Sequence, residues 1–280
     1  MIQLRKLFTP TGALDPDEAR KFMEQHDEGS YTLLDVRQPW EYEEDHIPGA
    51  TLVPLGDLKE GTQDLDPDRP TLVYCAVGGR SRVAAQLLSG RGFEEVYNLA
   101  GGIKAYRGAT ASGPQELNLD MVRGDESPEE MLKLAYGLER ALEIFYHQSL
   151  KQAEDKDLKD LLSKLEHVEE VHKEKVYERY KALVPDAPDM AAFEADMNPE
   201  IMEGGFRVNE FLKENQPWMK TTGQVLELAM MLETQALDLY MRFAEKSREE
   251  GTKQVLFKLA DEEKVHLKTL GRLLDEKRSG

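Results

Sequence analysis

The sequence predicts two domains of different class: an N-terminal α/β domain with a mostly parallel sheet, then an all-α four-helix bundle with a long crossover. Three observations carry this. Up to about residue 110, short apolar runs alternate with helical stretches. Beyond about residue 127, long stretches of helical apolar spacing follow, interrupted by one crossing segment. Between them the stretch ATASGPQELNLDMVRGD loses periodicity and gains Gly, Pro, Ser and Thr. At 280 residues the chain can bury two cores of ordinary size. The boundaries read as 1–112 for the first domain, 113–126 for a linker and 127–280 for the second.

In the first domain TLLDVR (Thr32–Arg37), ATLVPL (Ala50–Leu55), TLVYC (Thr71–Cys75) and EVYNLAG (Glu95–Gly101) read as short strands. Asp15–His26 and Ser81–Ser89 read as helices between them. The strand TLVYC runs into the loop CAVGGRS, with a helix expected to begin near Ser81. A cysteine at the mouth of such a turn meets outward-facing backbone amides and a helix N-terminus, which favour the thiolate over the thiol. Arg80 adds a positive charge nearby. Cys75 is thus placed as a nucleophile and not as a core residue. As the single cysteine of the chain it also excludes an intrachain disulfide and a paired-cysteine iron site.

This half resembles the rhodanese domain over nearly its full length. The resemblance rests on Asp35-Val36-Arg37, His46-Ile47-Pro48-Gly49-Ala50, the loop Cys75 to Ser81, and Gly101-Gly102-Ile103, in that order. It implies that Cys75, with Arg80, takes a sulfane sulfur as a persulfide and hands it to a thiol or cyanide. Asp35, Arg37, Gly78, Gly79 and Ser81 are expected to support the loop, and His46 to be structural. The related phosphatases carry a loop one residue longer, which disfavours phosphate chemistry. One departure stands out: Ala76 and Val77 follow the cysteine where the usual loop has a polar or basic residue, so charged thiosulfate would find fewer side-chain partners.

In the second half, Ser127-Pro128-Glu129-Glu130 fits a capping box with proline at the first helical position. That helix should run to about Ala153, and a second from Asp157 to Leu183, before Pro185. A crossing segment from Val184 to Thr222 follows, with a short helix around Pro199–Glu214. A third helix is expected over Gly223–Arg248, and a fourth from Gly251 to about Asp275.

These helices contain an internal duplication. Glu169 and His172 recur as Glu263 and His266, Glu139 recurs as Glu233 and Tyr146 as Tyr240, each 94 positions later. Residues at i and i+3 share a helix face, so each Glu-x-x-His can aim a carboxylate and an imidazole at one point while a facing helix adds a lone Glu. Four carboxylates and two imidazoles suit a pair of iron or manganese ions. Tyr146 and Tyr240 lie two turns beyond their glutamates, placed either to hydrogen-bond those carboxylates or to fill the core. His147 and His167 lack a counterpart at the same offset and read as surface residues; Glu143 and Glu166 read as solvated.

Here the sequence is similar to the ferritin-like di-iron carboxylate proteins, most closely the rubrerythrin branch, over residues 127–275. The resemblance implies two iron ions held by Glu139, Glu169, His172, Glu233, Glu263 and His266, a homodimer, and a reaction with peroxide or oxygen. Peroxidase members carry a further glutamate three residues after the third-helix ligand. Here that position is Ala236, so peroxidase activity of that specific kind is not implied. Electrons would come from an external donor or from the sulfur on Cys75.

The net charge of −18 would repel phosphate backbones and anionic membranes, which argues against nucleic acid and membrane partners. No apolar run reaches membrane-spanning length, and the start MIQLRKLFTPTGALDP lacks the apolar core of a secretion signal, so a cytoplasmic protein is expected. The combined expectation is a sulfurtransferase joined to a di-iron oxidoreductase. The alternatives are a sulfur-carrier or iron-storage protein without redox turnover, or a sulfurtransferase with a structural dimerisation bundle.

Overall fold

The structure, a computed structural model, describes residues 12–195, 197 and 199–279; residues 1–11 of the opening stretch read for a secretion signal lie outside them. The chain forms two compact units divided between Leu117 and Asn118.

The first unit is built around a five-stranded parallel sheet in the order β1-β5-β4-β2-β3. In chain order its elements are β1 (Gly12–Leu14), α1 (Pro16–Gln25), β2 (Thr32–Asp35), α2 (Pro39–Glu44), β3 (Thr51–Leu52), α3 (Leu58–Gly61), β4 (Thr71–Tyr74), α4 (Gly79–Gly90) and β5 (Val96–Leu99). Every residue of β4 is buried, as a central parallel strand covered on both faces requires. Strand β1 is absent from the sequence reading. It is only three residues long, begins with glycine and joins the sheet edge by pairing with β5, so neither alternation nor β-propensity announces it. Helix α1 starts where Asp15 and Glu18 form a reciprocal capping box.

A buried ion pair stands at the end of β2. Arg37 Nε donates to both oxygens of Asp35 (3.0 and 2.9 Å), and Arg37 Nη1 to Asp45 Oδ1 (3.1 Å). Asp35 is fully buried, and Arg37 is 3 % exposed. The Arg37 guanidinium lies 5.5 Å from the ring centre of Tyr74, the residue before Cys75. Arg37→Ala would strand the Asp35 carboxylate in the core. It is expected to cost about 3–5 kcal/mol in chemical denaturation, with Asp35→Asn in the same chain recovering part of the loss. A loss below about 1 kcal/mol, the range of an exposed pair, would contradict this.

The second unit contains four long helices, α5 (Pro128–Gln152), α6 (Lys156–Leu183), α9 (Thr222–Lys246) and α10 (Glu250–Ser279). The connection from α6 to α9 carries α7 (Met190–Ala195), a β-hairpin of β6 (Ile201–Met202) and β7 (Phe206–Arg207), and α8 (Val208–Asn215). Helix α5 packs along α6, and α9 along α10, as the duplication implies. The Ser127 capping box forms as read: Ser127 N–H donates to Glu130 Oε2 (2.9 Å) and Glu130 N–H to Ser127 Oγ (3.3 Å). The crossover differs from expectation. A helix over Pro199–Glu214 cannot form because Gly204 and Gly205 hold left-handed backbone (φ 75° and 82°), and a tight hairpin takes its first half.

The stretch read as a linker is not free chain after Leu117. Leu119–Met121 form a turn of 3₁₀-helix, Val122 is buried, and Lys246 Nζ donates to the carbonyls of Leu119 and Val122. Glu126 caps this segment by accepting from Arg123 N–H (2.6 Å) and Gly124 N–H (2.9 Å).

Candidate functional site

Two groups of side chains stand out, one in each unit. In the first, β4 ends at Tyr74 and delivers Cys75 to a loop that closes at once into α4, which begins at Gly79, two residues before the expected start. The loop folds around the sulfur: Gly78 N–H and Ser81 Oγ donate to Cys75 Sγ at 3.2 and 3.3 Å. Gly101-Gly102-Ile103 clamps the loop from behind. Ile103 N–H donates to Cys75 O (2.8 Å) and Lys104 N–H to Ala76 O (3.1 Å). A Cβ on Gly102 would sit 2.2 Å from Cys75 O, so this position admits no side chain.

Two features correct the sequence reading. Cys75 is 1 % exposed and packs with Leu34, Val36, Val73 and Ala84, so it sits in an apolar cluster and not at an open mouth. Arg80 is not a free cation: its guanidinium is held in a fork by both oxygens of Glu41 (2.6 Å each), a carboxylate on α2 that no local spacing pairs with it. Arg80 in turn holds the Glu41 carboxyl below the ordinary carboxylate range.

The loop still favours the thiolate. Burial by itself pushes the Cys75 thiol up, but the Ser81 hydroxyl and the N–H groups of Ser81, Val77 and Gly78 outweigh it, so the thiol titrates below its ordinary 9.0. Ser81→Ala should therefore move the rising limb of a sulfur-transfer pH profile upward. A shift of about one pH unit is expected, since a hydrogen bond to a charged group contributes roughly 1.5 kcal/mol; an unmoved limb would remove Ser81 from this role. His46 is structural, stacked on Tyr42 (3.7 Å between ring centres) with its Nδ1 bonded to Tyr42 O (2.8 Å).

In the second unit each long helix carries its candidate ligand at the point where it passes from one apolar cluster to another. Leu138 of α5 belongs to one cluster and Leu142 to the other, with Glu139 between; Leu232 and Ala236 flank Glu233 on α9 in the same way. The result is a polar layer across the middle of the bundle. His172 Nδ1 lies 2.9 Å from Glu169 Oε2 and 3.6 Å from Glu139 Oε2. His266 Nδ1 lies 2.9 Å from Glu263 Oε2 and 3.2 Å from Glu233 Oε2. The candidate ligand atoms within each trio lie within 4.8 Å of one another. The two imidazoles stack at 3.6 Å, so the trios meet. A cleft of about 640 Å³ opens onto this meeting point, lined by Glu169, His172, Glu233, His266, Val265 and Leu270 among others.

The residues fit a metal pair. Glu139 Oε2 is buried without a hydrogen-bond partner, and Glu169 and Glu263 are each 1 % exposed. Burial pushes Glu139 up to about 8, and Glu169 and Glu263 well above ordinary carboxylate values. It acts on Glu233 too, but hydrogen bonds with Glu263 and His266 outweigh it and hold that carboxyl low. Crowded buried carboxylates of this kind call for cations, and the oxygen and nitrogen donors suit iron or manganese.

The tyrosines part company. Tyr240 donates to Glu203 Oε1 (2.8 Å), a residue of the crossover absent from the sequence reading, while the buried Tyr146 hydroxyl has no hydrogen-bond partner. Glu143 is not solvated: it is buried and ion-paired to Lys173 (2.6 Å). His147 and His167 are exposed, beside Glu166 and Glu170.

Comparison with known proteins bears on both units. A rhodanese-like domain model matches residues 15–109, and a rubrerythrin model matches residues 224–280. The chain joins a rhodanese-like domain to a rubrerythrin domain. The rubrerythrin match covers α9 and α10 with Glu233, Glu263 and His266; the other three candidate ligands stand on the duplicated pair α5 and α6. The rhodanese-like half is 45 % identical over 76 residues to the uncharacterized protein YqhL of Bacillus subtilis, covering 27 % of this chain and 60 % of that protein. It is 44 % identical over 78 residues to the chloroplastic rhodanese-like/PpiC domain-containing protein 12 of Arabidopsis thaliana, covering 26 % of each. A solved E. coli rhodanese is 34 % identical, with a TM-score of 0.29, covering 30 % of this chain and 99 % of that one. The chain thus spans between a quarter and three fifths of these two curated relatives.

A rhodanese-like domain is a module for sulfur transfer or carriage, and a rubrerythrin domain implies iron binding. Among the described residues no helix is long and apolar enough to cross a membrane.

Proposed function

We propose that the chain is a sulfurtransferase working through a Cys75 persulfide, joined to a di-iron oxidoreductase that reacts with peroxide or oxygen. The observation that carries this is the pair of matched trios, Glu139–Glu169–His172 and Glu233–Glu263–His266, meeting at one cleft in a chain that also holds a thiolate-stabilising loop. In the first domain the Cys75 thiolate attacks the outer sulfur of a donor persulfide, R–S–SH; the new S–S bond forms as R–S⁻ leaves. Cyanide or an acceptor thiolate then attacks the terminal sulfur, and Cys75 departs as the thiolate that Ser81 and the loop amides stabilise. With Arg80 engaged by Glu41 and apolar Ala76 and Val77 beside the sulfur, persulfide donors suit the loop better than thiosulfate.

In the second domain, two iron ions held by the six residues would supply a redox couple for peroxide or oxygen. The chain's own contribution is the buried carboxylate layer, the apolar clusters on either side of it and a cleft of small-molecule size. An external electron donor and a homodimer belong to this reading. The likeness of the first domain to a putative sulfur carrier protein of Bacillus subtilis, YrkF, 37 % identical over 81 residues and covering 29 % of this chain and 44 % of that protein, favours a second one, a sulfur-carrier or iron-storage protein without redox turnover at the iron. Stopped-flow mixing separates them: the enzyme oxidises and re-reduces its iron repeatedly when given peroxide and a reductant, whereas a carrier or store takes up iron and stops.

A further inference from the structure

The carboxylate layer contains one member that the duplication does not supply. Glu203 sits at the tip of the β6–β7 hairpin, within the crossover that joins the two repeats, yet it is 1 % exposed. Its Oε1 accepts from the Tyr240 hydroxyl at 2.8 Å, and its Oε2 is buried with no hydrogen-bond partner. Carboxylate oxygens of Glu139, Glu203 and Glu263 lie within 4.8 Å of one another, so Glu203 meets one residue from each trio. Neither Glu139 nor Glu203 nor Glu263 lines the cleft; this contact is made away from it.

The hairpin is built to bring Glu203 there. Gly204 turns the chain with φ 75°, and a Cβ at that position would stand 2.8 Å from Gln235 Cβ, so the tip presses directly on α9. Ala236, the next residue, is buried and short, leaving that face of α9 without a carboxylate of its own one turn past Glu233. Asn118 Nδ2 donates to Gly204 O (3.3 Å), and Met202, the residue before Glu203, is wholly buried in the bundle core. A buried carboxylate with one oxygen unsatisfied is costly unless something binds it. A purely structural partner for Tyr240 would need only one acceptor, which a glutamine supplies equally well.

We propose that Glu203 is a seventh metal ligand, reaching the ion pair through Oε2 on the side away from the cleft, with Tyr240 as its positioning residue. The proposal rests on the six-residue di-metal reading. The crossover thereby becomes part of the metal centre, and the hairpin tip is held in place by metal as well as by packing.

The test compares full-length wild type with Glu203→Gln and Tyr240→Phe, by anaerobic equilibrium dialysis against Fe²⁺ with elemental analysis, and by melting of the metal-free and metal-loaded forms. Wild type should hold about two ions per chain. Glu203→Gln should weaken at least one of them by roughly tenfold or more, and Tyr240→Phe should weaken binding by less. The metal-free Glu203→Gln chain should melt no lower than wild type, while its gain in melting temperature on loading should be smaller. Two ions bound by Glu203→Gln with wild-type affinity would overturn the seventh ligand and leave the six-residue site standing. Wild type holding fewer than two ions would overturn the di-metal reading and this proposal with it. Anomalous scattering from iron-loaded wild-type crystals needs no variant: Glu203 Oε2 at a coordination distance from iron supports the proposal, and a carboxylate bonded to Tyr240 alone overturns it.

Discussion

Cys75→Ser is expected to reduce sulfur transfer to cyanide by roughly a thousandfold or more, to the level of the uncatalysed reaction, while leaving iron content unchanged. The hydroxyl that replaces the thiol fits the same pocket between Gly78 N–H and Ser81 Oγ, so the loop should close as before. It cannot hold a sulfane sulfur. Because Cys75 is the only cysteine, no other thiol in the chain can substitute for it. Transfer activity that survives the substitution would remove Cys75 as the carrier, and iron lost along with activity would show that the change had damaged more than one site.

The second large effect concerns the carboxylate layer. Glu169→Ala and Glu263→Ala each remove the ligand that stands three residues before its histidine, and each is expected to lower metal content by about one ion per chain; together they should abolish binding. The metal-free variants should unfold no more easily than metal-free wild type. The carboxylates removed are buried and crowded, and without cations they disfavour the fold rather than support it. That combination, lost metal without lost metal-free stability, separates a ligand from a structural residue. Variants that keep two ions, or that unfold at once, would contradict the assignment.

Much of this was legible in the residues. The 94-position duplication carries its own check, because a random Glu-x-x-His has no reason to recur in register with an upstream Glu and a Tyr. The helices α5, α6, α9 and α10 fall within a few residues of their expected bounds, since capping residues and prolines mark their ends. The order of landmarks around Cys75 was legible through the resemblance to rhodanese domains, and at Gly102 the structure supplies a physical reason, since no Cβ fits there.

What escaped the sequence depends on contacts between distant segments. Glu41 lies 39 residues before Arg80, and nothing local to either announces their fork. The burial of Cys75 follows from packing against α4 and β2, not from the loop's own residues. Glu203 is invisible to the argument that found the other carboxylates, because it lies in the crossover between the repeats and has no copy. The short IMEGGFR hairpin carries neither a strand nor a helix period, so its place beside the bundle's polar layer emerges only in three dimensions.

The most direct test of the di-iron claim is the iron content of the full chain, by elemental analysis as purified and after anaerobic reconstitution with Fe²⁺. About two ions per chain are expected, one for each trio. Less than about half an ion per chain after reconstitution would contradict the two-ion site, and would leave a rhodanese-like domain joined to a bundle whose buried carboxylates hold no metal.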